Sequence, residues 1–168
     1  MARKTTEDRQ EQICDAVIQI ISEEGIDKLS MPAVAKKINV VPSAIYRHFN
    51  NKEEMVISAI GSLKNRALKL ICGDYSNADI FEPFRNMLYL SQSFMPITSV
   101  FPKIVFGLPA DPGQDLRRAT LRKFLESIVS QYEKILVSGQ ERGDIRNDIN
   151  VQSAAFHFCS SYRSSSVP

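Results

Sequence analysis

Along nearly its whole length the chain spaces its apolar residues close to 3.6 apart, and the strict alternation of a half-buried strand is almost absent. A stripe of that period forms a helix face that has to be buried against other helices, so the pattern restricts the chain to an all-α architecture. Its 168 residues suffice to bury roughly two-thirds of the surface of the unfolded chain. Hydrophobic residues at 43% and charged residues at 24% give an ordinary globular balance, not the polar excess of a disordered chain. No run approaches the roughly 18 apolar residues of a membrane span, so no membrane partner is expected. The opening MARKTTEDRQ has no apolar core and argues against a secretory signal. Cys14, Cys72 and Cys159 are odd in number and widely spaced. They argue against a disulfide scaffold and fit a reducing cytoplasm.

Turn and cap residues divide the stripe into helices. Residues 7–24 read as a helix, opened by a Thr5/Asp8 capping pattern and closed by Gly25, which suits a left-handed exit. A short helix follows from Ser30, an N-cap with Pro32 in its first turn, to Lys37. Asn39 lies in the break after it and can take the left-handed conformation that most residues resist. Another short helix starts at Pro42 or Ser43 and ends near Phe49, and a longer one runs from Lys52 to about Ile71. The polar stretch 73–77 is the best boundary. Beyond it, helices are expected over about 79–95, 96–107, 111–138 and 148–159, with Gly139 and Gly143 marking the exit of the long one. The domains are then 1–55, with a connecting helix over 52–72, and 78–168.

Two short helices joined by a four-residue turn match the helix-turn-helix outline, in which one helix braces and the next offers its exposed face to the DNA major groove. Overall charge does not point there: the net charge is +2, and residues 1–55 hold eight Lys/Arg against nine Asp/Glu. The bases are nevertheless concentrated. Residues 28–52 contain Lys28, Lys36, Lys37, Arg47 and Lys52 and no acid, a local surface able to neutralise phosphates. The competing reading is an ordinary solvated face.

Residues 30–55, SMPAVAKKINVVPSAIYRHFNNKEEM, resemble the DNA-binding segment of the TetR family of bacterial transcriptional regulators. Ala35, Val40, Ile45, Tyr46, Phe49 and the run Asn51-Lys52-Glu53 carry the likeness, which with the preceding helix covers about residues 9–58. The resemblance implies an all-α homodimer with an N-terminal three-helix DNA-binding domain and a C-terminal helical ligand-binding and dimerisation domain. It further implies a palindromic double-stranded operator, release by a small effector, and usually repression. By the same resemblance Ala35, Val40, Ile45 and Phe49 hold the short helices together. Tyr46 sits at the DNA boundary, Lys52 meets a phosphate, His48 faces the backbone, and Pro42, Ser43 and Arg47 fall where bases are contacted. A guanidinium such as that of Arg47 can pair bidentately with guanine. Ser30 is a phosphate candidate, and Arg3 and Lys4 are candidates for an arm near the minor groove. Asn39 stands where the family usually has Gly, and Val41 where Ser or Thr often caps the recognition helix. These departures bear on the operator sequence, not on the fold.

The second part resembles the family only loosely. Its excess of large apolar side chains is expected to line a cavity for an apolar or aromatic effector. Phe84, Met87, Phe106, Phe124, Ile128 and Tyr132 are the lining set, with Tyr132 and His157 as polar handles. In the junction after the long helix, Arg146 and Asp148 are expected to tie the turn. Eight helices can be assigned, whereas the resemblance implies one more. Either the sequence continues beyond residue 168 or dimerisation is rebuilt from the last assigned helix, with Val151, Ala155 and Phe158 facing a partner. No metal, cofactor or enzyme activity is expected, because no metal-ligand spacing, nucleophile motif or phosphate loop occurs. The alternative from another class is a helical protein-interaction module that keeps the fold without operator binding.

Overall fold

The structure, a computed structural model, describes residues 5–71, 79, 81–86 and 114–161. These are helices and turns throughout: α1 (Thr6–Glu24), a 3-10 turn (Ile26–Lys28), α2 (Met31–Lys37), α3 (Pro42–Tyr46), α4 (Lys52–Ile71), α5 (82–86), α6 (Gln114–Glu141) and α7 (Val151–Ser161). The described residues fall into two compact units, 5–63 with 114–121, and 64–86 (as far as described) with 122–161. The expected boundary at 73–77 and the expected helix over 96–107 lie outside the described residues.

In the first unit the ends of the helices follow from local chemistry. The Thr5 hydroxyl accepts the Asp8 amide at 3.1 Å, and the Asp8 carboxylate accepts the Thr5 amide at 3.1 Å, a reciprocal capping box. Gly25 ends α1 at φ 91°, ψ 165°. The positive φ is as expected, but the high ψ places it outside the left-handed helical basin, in a region essentially restricted to glycine. Ser30 caps α2 by accepting the Ala33 amide at 3.2 Å, with Pro32 in the first turn. Asn39 turns the chain at φ 56°. No side chain caps α3; Pro42 at its start has no N–H to satisfy, which softens the absence of a cap at Val41. The helix stops at Tyr46, short of Phe49, because the His48 and Phe49 amides both turn onto the Ile45 carbonyl, at 2.9 and 3.1 Å.

The apolar faces then close on one another. α1 packs against α2 and the 3-10 turn, and α2 packs against α3. Ile13, Val17 and Ile21 of α1, Val34 and Ala35 of α2, Ile45 and Phe49 around α3, and Val56, Ile60 and Leu63 of α4 are all buried. Helices of seven and five residues are too short to persist alone in water; burial of these side chains is what keeps them folded.

In the second unit α6 runs to Glu141, past the expected exit. Gly139 remains helical and Gly143 makes the turn at φ 81°. Arg146 and Asp148 do pair, at 3.2 Å, but both are well exposed, so the pair adds little. The junction is held instead by Gln140, whose side-chain amide donates to the Arg146 and Ile149 carbonyls at 2.9 Å each. α7 starts at Val151, not near Asp148, because Asn150 is the cap and accepts the Ser153 amide at 2.9 Å.

Two glycine substitutions separate backbone strain from helix propensity. A Cβ would meet nothing within 4 Å at Gly25 or at Gly61 in mid-α4. Gly25→Ala is therefore expected to lower stability by about 1–3 kcal/mol through strain alone. Gly61→Ala should raise it by about 0.5–1 kcal/mol. Urea unfolding midpoints of the two variants check both signs.

Candidate nucleic-acid interface

α3 has two kinds of position. Ile45 is fully buried and Phe49 nearly so, whereas Pro42, Ser43, Tyr46 and Arg47 are exposed, with 56% of the Tyr46 surface open to solvent. The buried pair fixes the turn, and the other four residues face water with no core duty. His48 is half-buried beside them. The Ser30 hydroxyl uses its oxygen on the α2 cap, which leaves its proton for an acceptor outside the helix. Arg3 and Lys4 lie outside the described residues.

The start of α4 is organised by its acids. Asn51 caps it by accepting the Glu54 amide at 2.8 Å, and the Glu54 carboxylate reaches back to the Asn50 amide at 2.7 Å. Lys52 sits at the head of this capped turn, half-buried. Cation and unsatisfied helix N–H groups there both favour a phosphate.

The five bases between residues 28 and 52 are not equivalent. Lys37 is committed to Glu23 at 2.7 Å. The Lys37 bond, then a bond from Gln19, holds the Glu23 carboxyl below the usual carboxylate range. The pair therefore persists above that range and is lost as pH falls through the lowered value. Among the described residues, Lys28, Lys36, Arg47 and Lys52 pair with no carboxylate. A further ion pair was not visible in the sequence. Arg117 of α6, only 1% exposed, reaches Glu53 of α4 at 2.5 Å, across 64 positions of chain.

In the second unit, the rings of Phe84, Tyr132 and Phe158 form a three-way cluster with centroids 4.8–5.1 Å apart. The Tyr132 hydroxyl donates to the Pro83 carbonyl at 3.3 Å, and Phe124 and Ile128 are buried along the same helix. Met87 and Phe106 lie outside the described residues. Three expectations are corrected. His157 is exposed, with its ring against Phe156, so it is not a polar handle beside Tyr132; Phe158 is the α7 residue that arrives there. Phe158 is thereby engaged within its own chain. Ala155 is completely buried within its own chain and cannot face a partner, whereas Phe156 is 60% exposed and Val151 half-buried.

A short buried-and-exposed helix set on a braced scaffold, followed by a capped helix that opens with a lysine, has the outline of a helix-turn-helix. Residues 13–59 match the sequence profile of the tetR family of bacterial regulatory proteins. The chain is similar to an uncharacterised helix-turn-helix-type transcriptional regulator of Haemophilus influenzae, 30% identical over 86 residues that span 51% of this chain and 46% of the relative. It is also similar to the nucleoid occlusion factor SlmA of Edwardsiella ictaluri, 28% identical over 142 residues, 81% of this chain and 71% of that protein. In fold it is similar to the fatty acid degradation regulator FadR of Bacillus halodurans, with a TM-score of 0.76 at 19% identity over 98% of this chain and 84% of that one. The family is one of regulators, not enzymes.

Burial pushes the Cys159 thiol up to about 11. At pH 8 this leaves about a hundredfold less thiolate than an unshifted cysteine would have, partly offset by the greater nucleophilicity of the more basic sulfur. Alkylation of Cys159 by iodoacetamide is expected to run about tenfold slower than that of an unhindered cysteine at pH 8 and to climb steadily towards pH 11. Peptide mass spectrometry of the adduct gives the rate.

Proposed function

We propose that the chain is a ligand-responsive transcriptional repressor that binds a palindromic DNA operator as a homodimer. The observation that carries this reading is the division of labour at α3. Ile45 and Phe49 hold the turn, while Pro42, Ser43, Tyr46 and Arg47 stand exposed together ahead of Lys52. In this reading Arg47 and Ser43 meet base edges, Tyr46 packs at the groove wall, and His48, Ser30 and Lys52 meet the backbone. Arg3 and Lys4 extend the contact as an arm. Phe84, Phe124, Ile128 and Tyr132, with Met87 and Phe106, form the binding surface for an apolar or aromatic effector. No described helix is long and apolar enough to cross a membrane. The exposed side of α7, with Phe156 and Val151, supplies part of the contact between subunits.

The reading is tested by selecting duplexes from a randomised library with the wild-type chain and measuring affinity by gel-shift. Arg47→Ala should cost about 1–3 kcal/mol and relax the preference at one base pair. Lys52→Ala should weaken all sequences alike and reduce the salt slope by about one. Selection of no duplex overturns the proposal in favour of a protein-interaction module. Effector screening on the bound complex should include long-chain acyl-CoA esters, since the regulator FadR of Bacillus subtilis, similar in fold with a TM-score of 0.69 at 21% identity, was solved in complex with stearoyl-CoA.

A further inference from the structure

The Arg117–Glu53 pair joins a buried cation of α6 to the first turn of α4. Arg117 is the one polar or charged residue among the described residues that is fully buried. A buried arginine is costly unless it is paired, and here its Nη1 is spent on the second residue of α4. Glu53 directly follows Lys52, which heads the helix. A bare carboxylate in that first turn would sit well within the screening length of any phosphate held by Lys52. It would offset both the lysine and the helix N-terminus. The neighbouring Glu54 is already occupied by the Asn50 amide and side chain, at 2.7 and 3.1 Å. Glu53 has no comparable partner on α4. Its other carboxylate oxygen is buried and accepts no bond from the described residues, so its charge is answered from α6.

We infer that Arg117 is a positioning and charge-compensating residue for the DNA interface: by neutralising Glu53 it keeps the head of α4 positive and able to take a phosphate. This rests on the operator-binding reading above. Lys52, Glu53 and Arg117 together carry one net positive charge. Arg117→Gln brings that to zero, Glu53→Gln raises it to two, and the double variant or Arg117→Lys restores one. DNA affinity is expected to follow this order. A pair that served only to hold α6 to the head of α4 would instead lose affinity on either single change, because each removes the same contact.

The experiment measures anisotropy of a fluorescent duplex selected by the wild-type chain, with circular dichroism to establish that each variant is folded. Arg117→Gln should bind about three- to tenfold more weakly at low salt, with a shallower salt dependence. Glu53→Gln should bind at least as tightly as the wild type. Arg117→Lys and the double variant should fall within about twofold of it. The inference is overturned if folded Glu53→Gln loses affinity as Arg117→Gln does, or if the double variant stays as weak as Arg117→Gln. Should a single variant not fold, Arg117→Lys and the double variant decide: affinity near the wild type supports the inference, and weak binding by both overturns it. A wild-type chain that selects no duplex overturns the regulator reading itself, and this inference with it. A wild-type chain that binds while every variant binds equally overturns the inference alone.

Discussion

Burial of a few apolar side chains between helices too short to stand alone is the constraint on which the first unit rests. α2 and α3 together contribute twelve residues, fewer than an isolated helix in water generally needs. They are helical because Val34, Ala35, Ile45 and Phe49 are buried with Ile13, Val17 and Ile21 of α1. The caps at Thr5, Ser30 and Asn51 set where each helix begins, and Gly25 and Asn39 set where the chain turns. Capping alone contributes about 1 kcal/mol per end, too little to hold the arrangement without the core. The exposed residues of α3 inherit their positions from this packing.

What was legible in the sequence was whatever is decided within a few residues. The Thr5/Asp8 box, the Ser30 cap and the left-handed Asn39 are local choices, and each stands in the structure as read. Contacts between distant residues were not legible. Arg117 and Glu53 are 64 positions apart, and an arginine on a helix ordinarily reads as a solvated charge. α7 shows a second limit. Its apolar residues Ala155, Phe156 and Phe158 lie on more than one side, so their spacing establishes a helix but not which side turns inward. Assigning Ala155 and Phe158 to a partner reversed that phase, and the ring cluster with Phe84 and Tyr132 shows the true one. The Gln140 clasp was hidden for a related reason: it satisfies backbone carbonyls, which carry no sequence signature.

Charge around the short helices of the first unit is set by pairing more than by composition. Five bases crowd residues 28–52, yet Lys37 answers Glu23 and is not an independent cation. Conversely, both acids at the head of α4 are engaged, Glu54 by the Asn50 amide and Glu53 by a guanidinium. A net count over the first unit therefore misjudges the field that a polyanion would meet.

The separation of roles within α3 also bears on how such a protein can change over generations. Ile45 and Phe49 are buried at the turn, while Ser43, Tyr46 and Arg47 stand exposed outside the core. Substitutions at these exposed three are consequently close to free in folding energy. A lineage can drift through many combinations there without crossing the threshold below which the domain unfolds. One architecture can then carry many different exposed surfaces, with adaptation and foldability written on opposite sides of a single helical turn.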